Sequence, residues 1–243
     1  MSYRAPDLRG GLAAVLAHPD DETFACGGAL ALAHDTGAVT RLLVVTRGES
    51  GTLSGEPDDP LARTREEELI CAARKIGLDE VSILDGYADG AVAEAPFDRL
   101  VEDVAAWLAD RRPAAVVTFG SHGVTGHADH IVVGSATRWA VEQLAESGIA
   151  PNSVFVISPV FAPAAQRFDL SPEEAAPTHR IDITPVVGRK LAALECHRSQ
   201  ADAAEEIAAL RTSLDERGTV YEGFTRVRPS VPPPHPVFDT RLL

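Results

Sequence analysis

The chain has 243 residues and a mass of 25.7 kDa, a length that suits one large α/β domain and needs neither disulfides nor a structural metal to fold. Its 22 basic and 36 acidic residues give a net charge of −14, which argues against nucleic acid or an anionic membrane as a partner. The sequence contains no run of about 20 apolar residues that could span a membrane, and residues 1–11 lack the apolar core of a signal peptide.

The three cysteines, Cys26, Cys71 and Cys196, are far apart in the sequence and form no CxxC pair. This spacing predicts neither a zinc ribbon nor a disulfide framework. Their odd number fits a reducing compartment, so we expect a cytoplasmic protein.

The first half of the chain alternates short apolar runs with helical patterns. Strands are predicted at 11–17, 39–46, 81–86 and 114–120, and helices at 23–37, 63–78 and 97–112. Residues 47–62 are rich in Gly, Pro and Ser and form a predicted long loop of the kind that usually serves function. This order predicts a mostly parallel sheet covered on both faces, a Rossmann-like three-layer α/β sandwich.

The second half is less regular. Helices are predicted at 128–147, 185–200 and 201–218, strands at 153–158 and 179–184, and a loop at 167–177. The tail has five prolines within residues 229–238, and we expect it to be extended and to pack on its own domain or a neighbouring subunit near the rim of the active site. We expect one domain over residues 1–243, with a core at about 12–200 and the proline-rich tail at about 229–243.

Residues 17–22 read Ala-His-Pro-Asp-Asp-Glu at the point where the first predicted strand ends. Ligands of open α/β sheets bind at the carboxyl ends of strands. A helix start explains one or two acids, because its amide groups and dipole stabilise them. The three consecutive acids beside a histidine repel one another unless a cation offsets their charge, so this motif predicts a divalent-cation site.

A second cluster, Gly-His-Ala-Asp-His at residues 126–130, follows the predicted strand 114–120 and opens the next helix. Two histidines and one acid within four residues can supply a metal ligand and a catalytic group. Taken alone, the cluster also fits a solvated loop with an aspartate cap. Two such clusters at corresponding positions of the sheet favour a metal-dependent active site.

The AHPDDE segment followed by a distant GHxDH resembles the LmbE-like, or PIG-L-type, family of zinc-dependent N-acetylglucosamine deacetylases. The similarity runs from about Leu12 to Gln200, and further matching patterns are Arg65-x-x-Glu68, Tyr87-x-Asp89-Gly90 and His197-x-Ser199-Gln200. The resemblance implies the LmbE-like fold and a zinc cofactor, with ferrous iron as an open alternative. It also implies site roles: His18, Asp21 and His130 as metal ligands, Asp20 as general base, His127 at the oxyanion or leaving amine, and Arg65 and Asp89 as residues that hold the sugar.

These roles are chemically consistent. Two histidines and one carboxylate leave a zinc coordination position for water, and the adjacent Asp20 can take the proton of that water. Asp129 is expected to orient His127, as a carboxylate commonly does for a catalytic imidazole. Glu22 has two possible roles: it either bonds to a metal ligand or a backbone N–H group, or it is simply an acid at the start of a helix. His197 is expected to anchor the core near the site.

Two positions depart from the family pattern. Ala128 stands where relatives often carry Pro, and Thr125 stands where relatives can place a Tyr beside the oxyanion, so Thr125 receives no role. The sequence thus predicts a hydrolase that removes an N-acyl group, acetyl by resemblance, from a small N-acetylglucosaminyl-type substrate. Two alternatives remain: a zinc amidase that cleaves a larger thiol or peptide conjugate in a cleft lined by 47–62 and 160–177, and a non-catalytic metal-binding protein. Homo-oligomerisation is left open.

Overall fold

The computed structural model describes residues 10–51, 59–159, 170–228 and 237–238. The strands are β1 Leu12–Leu16, β2 Thr40–Val44, β3 Glu80–Ile83, β4 Ala115–Thr118, β5 Ser153–Ile157, β6 His179–Asp182, β7 Tyr221–Arg228 and β8 Val237–Phe238. The α-helices are α1 Asp21–Ala25, α2 Gly27–Asp35, α3 Asp59–Ile76, α4 Phe97–Arg111, α5 Ala128–Glu146, α6 Pro172–Ala175, α7 Val187–Leu194 and α8 Ala201–Arg217, and two 3-10 turns occupy Val92–Glu94 and Thr184–Val186.

These strands form one sheet in the order β3-β2-β1-β4-β5-β7-β6-β8. Strands β1 to β5 are mutually parallel, and β7 runs antiparallel to its neighbours β5 and β6. Strand β1 has β2 on one side and β4 on the other. The strands that follow β1 are therefore added first on one side of it, as β2 and β3, and then on the other, as β4 and β5. In doubly wound sheets the ligand crevice opens at this switch point.

The helices pack in two groups, α4 with α5, and α2 and α3 with α7. Strands β1, β4 and β5 are buried along their whole length, as parallel strands covered on both faces must be. The predicted α/β fold with a mostly parallel sheet is therefore confirmed. Among the described helices, none combines the length and the apolar character that crossing a membrane requires.

Two predicted helices are interrupted in the structure. The helix expected at 23–37 is divided into α1 and α2 at Cys26, whose φ of −148° is not helical. The amide groups of Gly28 and Ala29 at the start of α2 donate to the buried carboxylate of Glu222, at 2.9 and 2.8 Å. The helix expected at 185–200 is only α7, because the chain turns after Leu194 toward the first motif.

The sheet also extends beyond the expected core boundary at about residue 200. Strand β7, which the sequence patterns did not predict, lies between β5 and β6, and α6 lies within the predicted loop 167–177. Of the proline-rich tail, only Val237 and Phe238 are described, and their backbone pairs in parallel with β6 at the edge of the sheet. The remaining predicted features of the tail lie outside the described residues.

Cys71 and Cys196 form a disulfide, with their Cα atoms 5.8 Å apart, and Cys26 is free and buried. The expectation of a chain without disulfides was therefore wrong. The bond joins α3 to the turn after α7 across 125 residues of sequence, a proximity that cysteine spacing alone does not reveal. The argument for a reducing compartment from the odd number of cysteines loses its basis.

Candidate metal centre

The first motif leaves β1 and turns sharply into α1. Asp21 opens this helix, and its Oδ2 accepts the amide groups of Ala17 and His18 at 3.2 and 2.8 Å. The turn passes through Asp20 at φ 121°, outside the regions that residues with a side chain usually adopt. As a result, His18 and Asp21 face the crevice at the carboxyl end of β1.

The second motif follows β4 and starts α5. His127 is the N-cap residue of α5, and its Nδ1 accepts the amide of Asp129 at 3.2 Å. His130 lies in the first turn of α5, where its ring stacks on Phe119 with centroids 4.0 Å apart. Because β1 and β4 are adjacent parallel strands, the two motifs meet at one edge of the sheet.

The three predicted metal ligands converge. Nδ1 of His18 lies 3.2 Å from Nε2 of His130, and the carboxylate of Asp21 lies 3.2 Å from the same His130 nitrogen and 3.6 Å from Nδ1 of His18. All three residues are buried. The ring nitrogens of His18, His127 and His130 also lie within 4.8 Å of one another, which places His127 beside the cluster.

The outer nitrogens of both rings face groups that accept hydrogen bonds. Nδ1 of His130 lies 3.1 Å from the carbonyl oxygen of Gly123, and Nε2 of His18 lies 2.9 and 3.2 Å from carboxylate oxygens of Asp89 and Asp129. When both rings are neutral, these outer nitrogens carry the protons and the two inner nitrogens present lone pairs to each other. Lone pairs 3.2 Å apart repel unless a proton or a metal cation lies between them, and carboxylate- or carbonyl-supported histidines are typical of metal sites.

The charges of this cluster perturb its pKa values. Burial lowers the pKa of His18, but the hydrogen bonds with Asp129, Asp21 and Asp89 outweigh burial and hold this pKa well above its usual value. Burial raises the pKa of Asp21, but the charges and hydrogen bonds of His130 and His18 together outweigh burial, so this pKa lies well below its usual range. The site therefore favours an ionised carboxylate and a positive charge on or between the imidazoles.

Asp20, the predicted general base, lies beside the predicted metal ligands but points its Oδ2 at Arg65, whose Nη2 is 2.7 Å away. Burial raises the pKa of Asp20 to about 7, against the opposing effect of the Arg65 guanidinium. Arg65 itself is buried and also donates to the carbonyl oxygens of Pro19 and Gly48. A side chain at Gly48, which has φ 72°, would collide with this guanidinium.

The structure brings Asp89 and Asp129 to the site, but their carboxylates bind protein groups. Asp89 contacts His18 and accepts the amide of Ser50 at 3.0 Å. Asp129 is fully buried and accepts the amides of Gly90 and Val92 at 2.8 and 3.1 Å.

The structure does not place the Asp129 carboxylate at the imidazole of His127, where the sequence patterns predict it. The carboxylate supports His18 instead, and Asp129 reaches His127 through its backbone amide. Burial and the charges of His18 and His130 lower the pKa of the exposed His127 ring. Thr125 is exposed, and its hydroxyl contacts the His127 amide and Gly123.

One supporting residue was missed by the sequence patterns. Glu174 of α6 is fully buried and accepts the amide of Val124 at 2.8 Å and that of His122 at 3.3 Å, which holds the loop before the second motif. The preceding Ser171 forms a capping box with Glu174, so the Ser-Pro-Glu-Glu pattern at 171–174 contained a usable signal.

The side chains of Glu68 and His197, which belong to two further family patterns, also form hydrogen bonds with protein groups. The amide and hydroxyl of Ser199 donate to Glu68 at 2.8 and 2.6 Å, which joins the turn after α7 to α3. His197 is fully buried and lies 2.9 Å from the carboxylate of Glu22, in agreement with the expected anchoring role. Glu22 accepts the backbone N–H of Asp20, which is one of the two roles that the sequence left open.

Fold and site together define a metal-dependent hydrolase of the α/β class: imidazoles and carboxylates meet at the switch point of a mostly parallel sheet, with a further carboxylate beside them. Residues 13–141, more than half of the chain, match the PIG-L family, described as GlcNAc-PI de-N-acetylase. The chain belongs to this family.

Relatives within and around this family show what similar chains do. The 1D-myo-inositol 2-acetamido-2-deoxy-α-D-glucopyranoside deacetylase of Mycobacteroides abscessus is 29% identical, and the match covers 82% of this chain and 84% of the relative. N,N'-diacetylchitobiose deacetylase from Pyrococcus horikoshii has a similar structure, with a TM-score of 0.67, 23% identity, and coverage of 90% of this chain and 84% of that one. GalB, the 4-carboxy-2-hydroxymuconate hydratase of Pseudomonas putida, has a TM-score of 0.71, 21% identity, and coverage of 91% and 98%. The fold alone therefore does not select one reaction.

Proposed function

We propose that this protein hydrolyses the N-acetyl group of an N-acetylglucosaminyl-type substrate with a zinc ion held by His18, Asp21 and His130. The observation that carries the proposal is the pair of facing ring nitrogens of His18 and His130, 3.2 Å apart, with the carboxylate of Asp21 beside both. The family membership and the deacetylase relative from M. abscessus support the reaction.

The donor set fits zinc. Ligand atoms at about 2.0–2.2 Å from a tetrahedral zinc ion lie about 3.3–3.6 Å from one another. Here the two histidine nitrogens are 3.2 Å apart, Oδ1 of Asp21 lies 3.2 Å from Nε2 of His130, and the other oxygen, Oδ2, lies 3.6 Å from Nδ1 of His18. Two imidazoles and one carboxylate are also a ligand set that ferrous iron accepts, so metal analysis is part of the test. When bound, the metal acidifies a water molecule and polarises the acetyl carbonyl.

Asp20 is the general base in this proposal. Its pKa of about 7 lets it take a proton near neutral pH and release it again, and Arg65 holds its carboxylate in one orientation through the 2.7 Å hydrogen bond. The amide nitrogen of the substrate leaves only after protonation. Asp20 can return the proton to that nitrogen.

His127 is the second group proposed to act on the substrate. Its ring is exposed and lies with its centroid 4.8 Å from that of His18 and 5.0 Å from that of His130. The Asp129 amide occupies Nδ1, so Nε2 is the nitrogen available to the oxyanion or the leaving amine. Arg65 and Asp89 remain proposed neighbours of the sugar, although their described partners belong to the protein.

The proposal is tested by amine release from a panel of N-acetylglucosaminyl compounds, with protein loaded with zinc or with ferrous iron under anaerobic conditions. Glucosaminyl analogues that lack the acetyl group serve as blanks, and the Asp20→Asn variant controls for a contaminating deacetylase. Release that follows metal loading supports the proposal. A fully metal-loaded protein that releases amine from no member of the panel contradicts it and leaves the two alternatives, a zinc amidase for a larger conjugate and a non-catalytic metal-binding protein.

A further inference from the structure

Asp20 has a backbone conformation that residues with a side chain rarely adopt, with φ 121° and ψ −33°. Such a conformation persists only where its surroundings hold it. On one side the carbonyl oxygen of Asp20 accepts the amides of Thr23 and Phe24 at 2.8 and 3.1 Å. On the other side its own N–H donates to Oε2 of Glu22 at 3.0 Å.

Glu22 is held in turn by His197, which is distant from it in the sequence. Its side chain is fully buried, and its Oε1 lies 2.9 Å from Nε2 of His197 and accepts the hydroxyl of Thr23. His197 is also fully buried, and among the described residues its Nδ1 has no hydrogen-bond partner. The described polar contacts of this ring are therefore made through Nε2, with Glu22 and Thr23.

We propose that His197 is a positioning residue that acts through Glu22 to hold Asp20 in its catalytic orientation. This rests on the proposed function, in which Asp20 is the base. A buried carboxylate that loses a donor turns toward the remaining donors. This movement weakens its bond to the Asp20 amide, and the strained turn then relaxes and moves the Asp20 carboxylate away from the reacting water.

Two substitutions at one position separate the hydrogen bond from the space that the ring fills. His197→Phe keeps a planar ring but removes the donor, whereas His197→Gln places an amide N–H near the position of Nε2. We expect His197→Phe to lower kcat about 10- to 100-fold, the scale of a 1 Å misplacement, with KM within about twofold and metal content unchanged. His197→Gln should retain at least about one third of kcat.

A double-mutant cycle distinguishes this role from general support of the fold. If His197 acts through Asp20, His197→Phe changes the residual kcat of Asp20→Asn by less than about twofold. An equal loss in both backgrounds overturns the proposal, as does an unchanged kcat for folded, metal-loaded His197→Phe in the wild-type background.

Two further variants guard against misfolding. Thr23→Val removes the other donor to Oε1 of Glu22 at nearly constant shape, and it replaces His197→Phe in the cycle if that variant does not fold. It should likewise lower kcat in the wild-type background and leave the residual kcat of Asp20→Asn nearly unchanged. Leu194→Ala disturbs the buried core one turn before His197, and it should lower the melting temperature while kcat stays within about twofold.

Crystal structures of the wild-type protein and His197→Phe provide a test that does not depend on activity. The wild type should show Asp20 near φ 121°, and the variant should show a changed φ with the Asp20–Glu22 hydrogen bond lost. An unchanged Asp20 backbone in the variant overturns the proposal even if the protein proves to catalyse another reaction. Absence of deacetylation by the wild-type protein would count against the proposed function. The comparison of the two crystal structures would still decide whether His197 positions Asp20.

Discussion

Replacement of Asp20 by asparagine separates metal binding from proton transfer. The substitution keeps the size of the side chain, and asparagine tolerates positive φ about as well as aspartate does, so the turn at φ 121° is retained. The three proposed metal ligands are untouched. Arg65 loses a charged partner at 2.7 Å but keeps its bonds to the carbonyl oxygens of Pro19 and Gly48.

The size of the effect follows from the state of this carboxylate. Burial raises the pKa of Asp20 to about 7, close to the pH at which a general base is most effective, and an amide side chain cannot accept the proton. General acid–base catalysis contributes a factor of about 10²–10⁴, which corresponds to about 2.7–5.5 kcal/mol of the activation free energy. We expect kcat to fall by that factor with the bound metal retained.

The assay measures amine release and metal content on the same preparation. Asp110→Asn provides a matched control, because that carboxylate has 79% of its side-chain surface exposed, and its kcat should stay within about twofold of wild type. An Asp20→Asn enzyme with at least a third of wild-type kcat would refute the reasoning. His127 would then be the next candidate base, since Glu22 is fully buried and occupied by protein donors.

Three other perturbations test the site and its support. His130→Ala should lose most of the bound metal by elemental analysis, because only two of the three proposed ligands remain; near-stoichiometric metal would contradict the ligand assignment. Reduction of the Cys71–Cys196 bond, which closes a loop across 125 residues, should lower the free energy of unfolding in urea by about 2–4 kcal/mol. Lys190→Met should lower the same quantity by about 3–5 kcal/mol, because it leaves the buried Glu222 carboxylate without its cation at 2.7 Å.

Each stability prediction has its own control. A Cys71→Ser/Cys196→Ser variant should unfold identically with and without reductant, and an equal response to reductant in this variant would rule out the disulfide as the cause. A Lys190→Met/Glu222→Gln variant should recover part of the loss, since no uncompensated charge is then buried. Lys190→Met with wild-type stability would show that the amides of Gly28 and Ala29 suffice for this carboxylate.

Local sequence determined the fold class and the place of the site. Short apolar runs alternating with helical patterns lead to a parallel sheet, and the carboxyl ends of parallel strands meet at one edge. For that reason the order of the elements predicts that the HPDDE and GHADH motifs lie at the same edge of the sheet. That β1 and β4 are neighbours, so that the two motifs meet, is seen only in the tertiary structure.

Tertiary structure decided which side chains meet, because those contacts join residues that are distant in sequence. Strand β7 was not predicted, and its buried Glu222 is paired at 2.7 Å with Lys190 of α7, a residue distant in sequence. The disulfide depends in the same way on the approach of α3 to the turn after α7.

The partners within the site follow the same rule. Arg65 stands in a charged helix segment that alone indicates a solvated face, yet the structure buries it against Asp20. Asp129 lies two residues from His127 but directs its carboxylate at His18 and the amides of Gly90 and Val92. A short pattern shows which groups are available to a site, whereas the packing of distant segments selects the partner of each group.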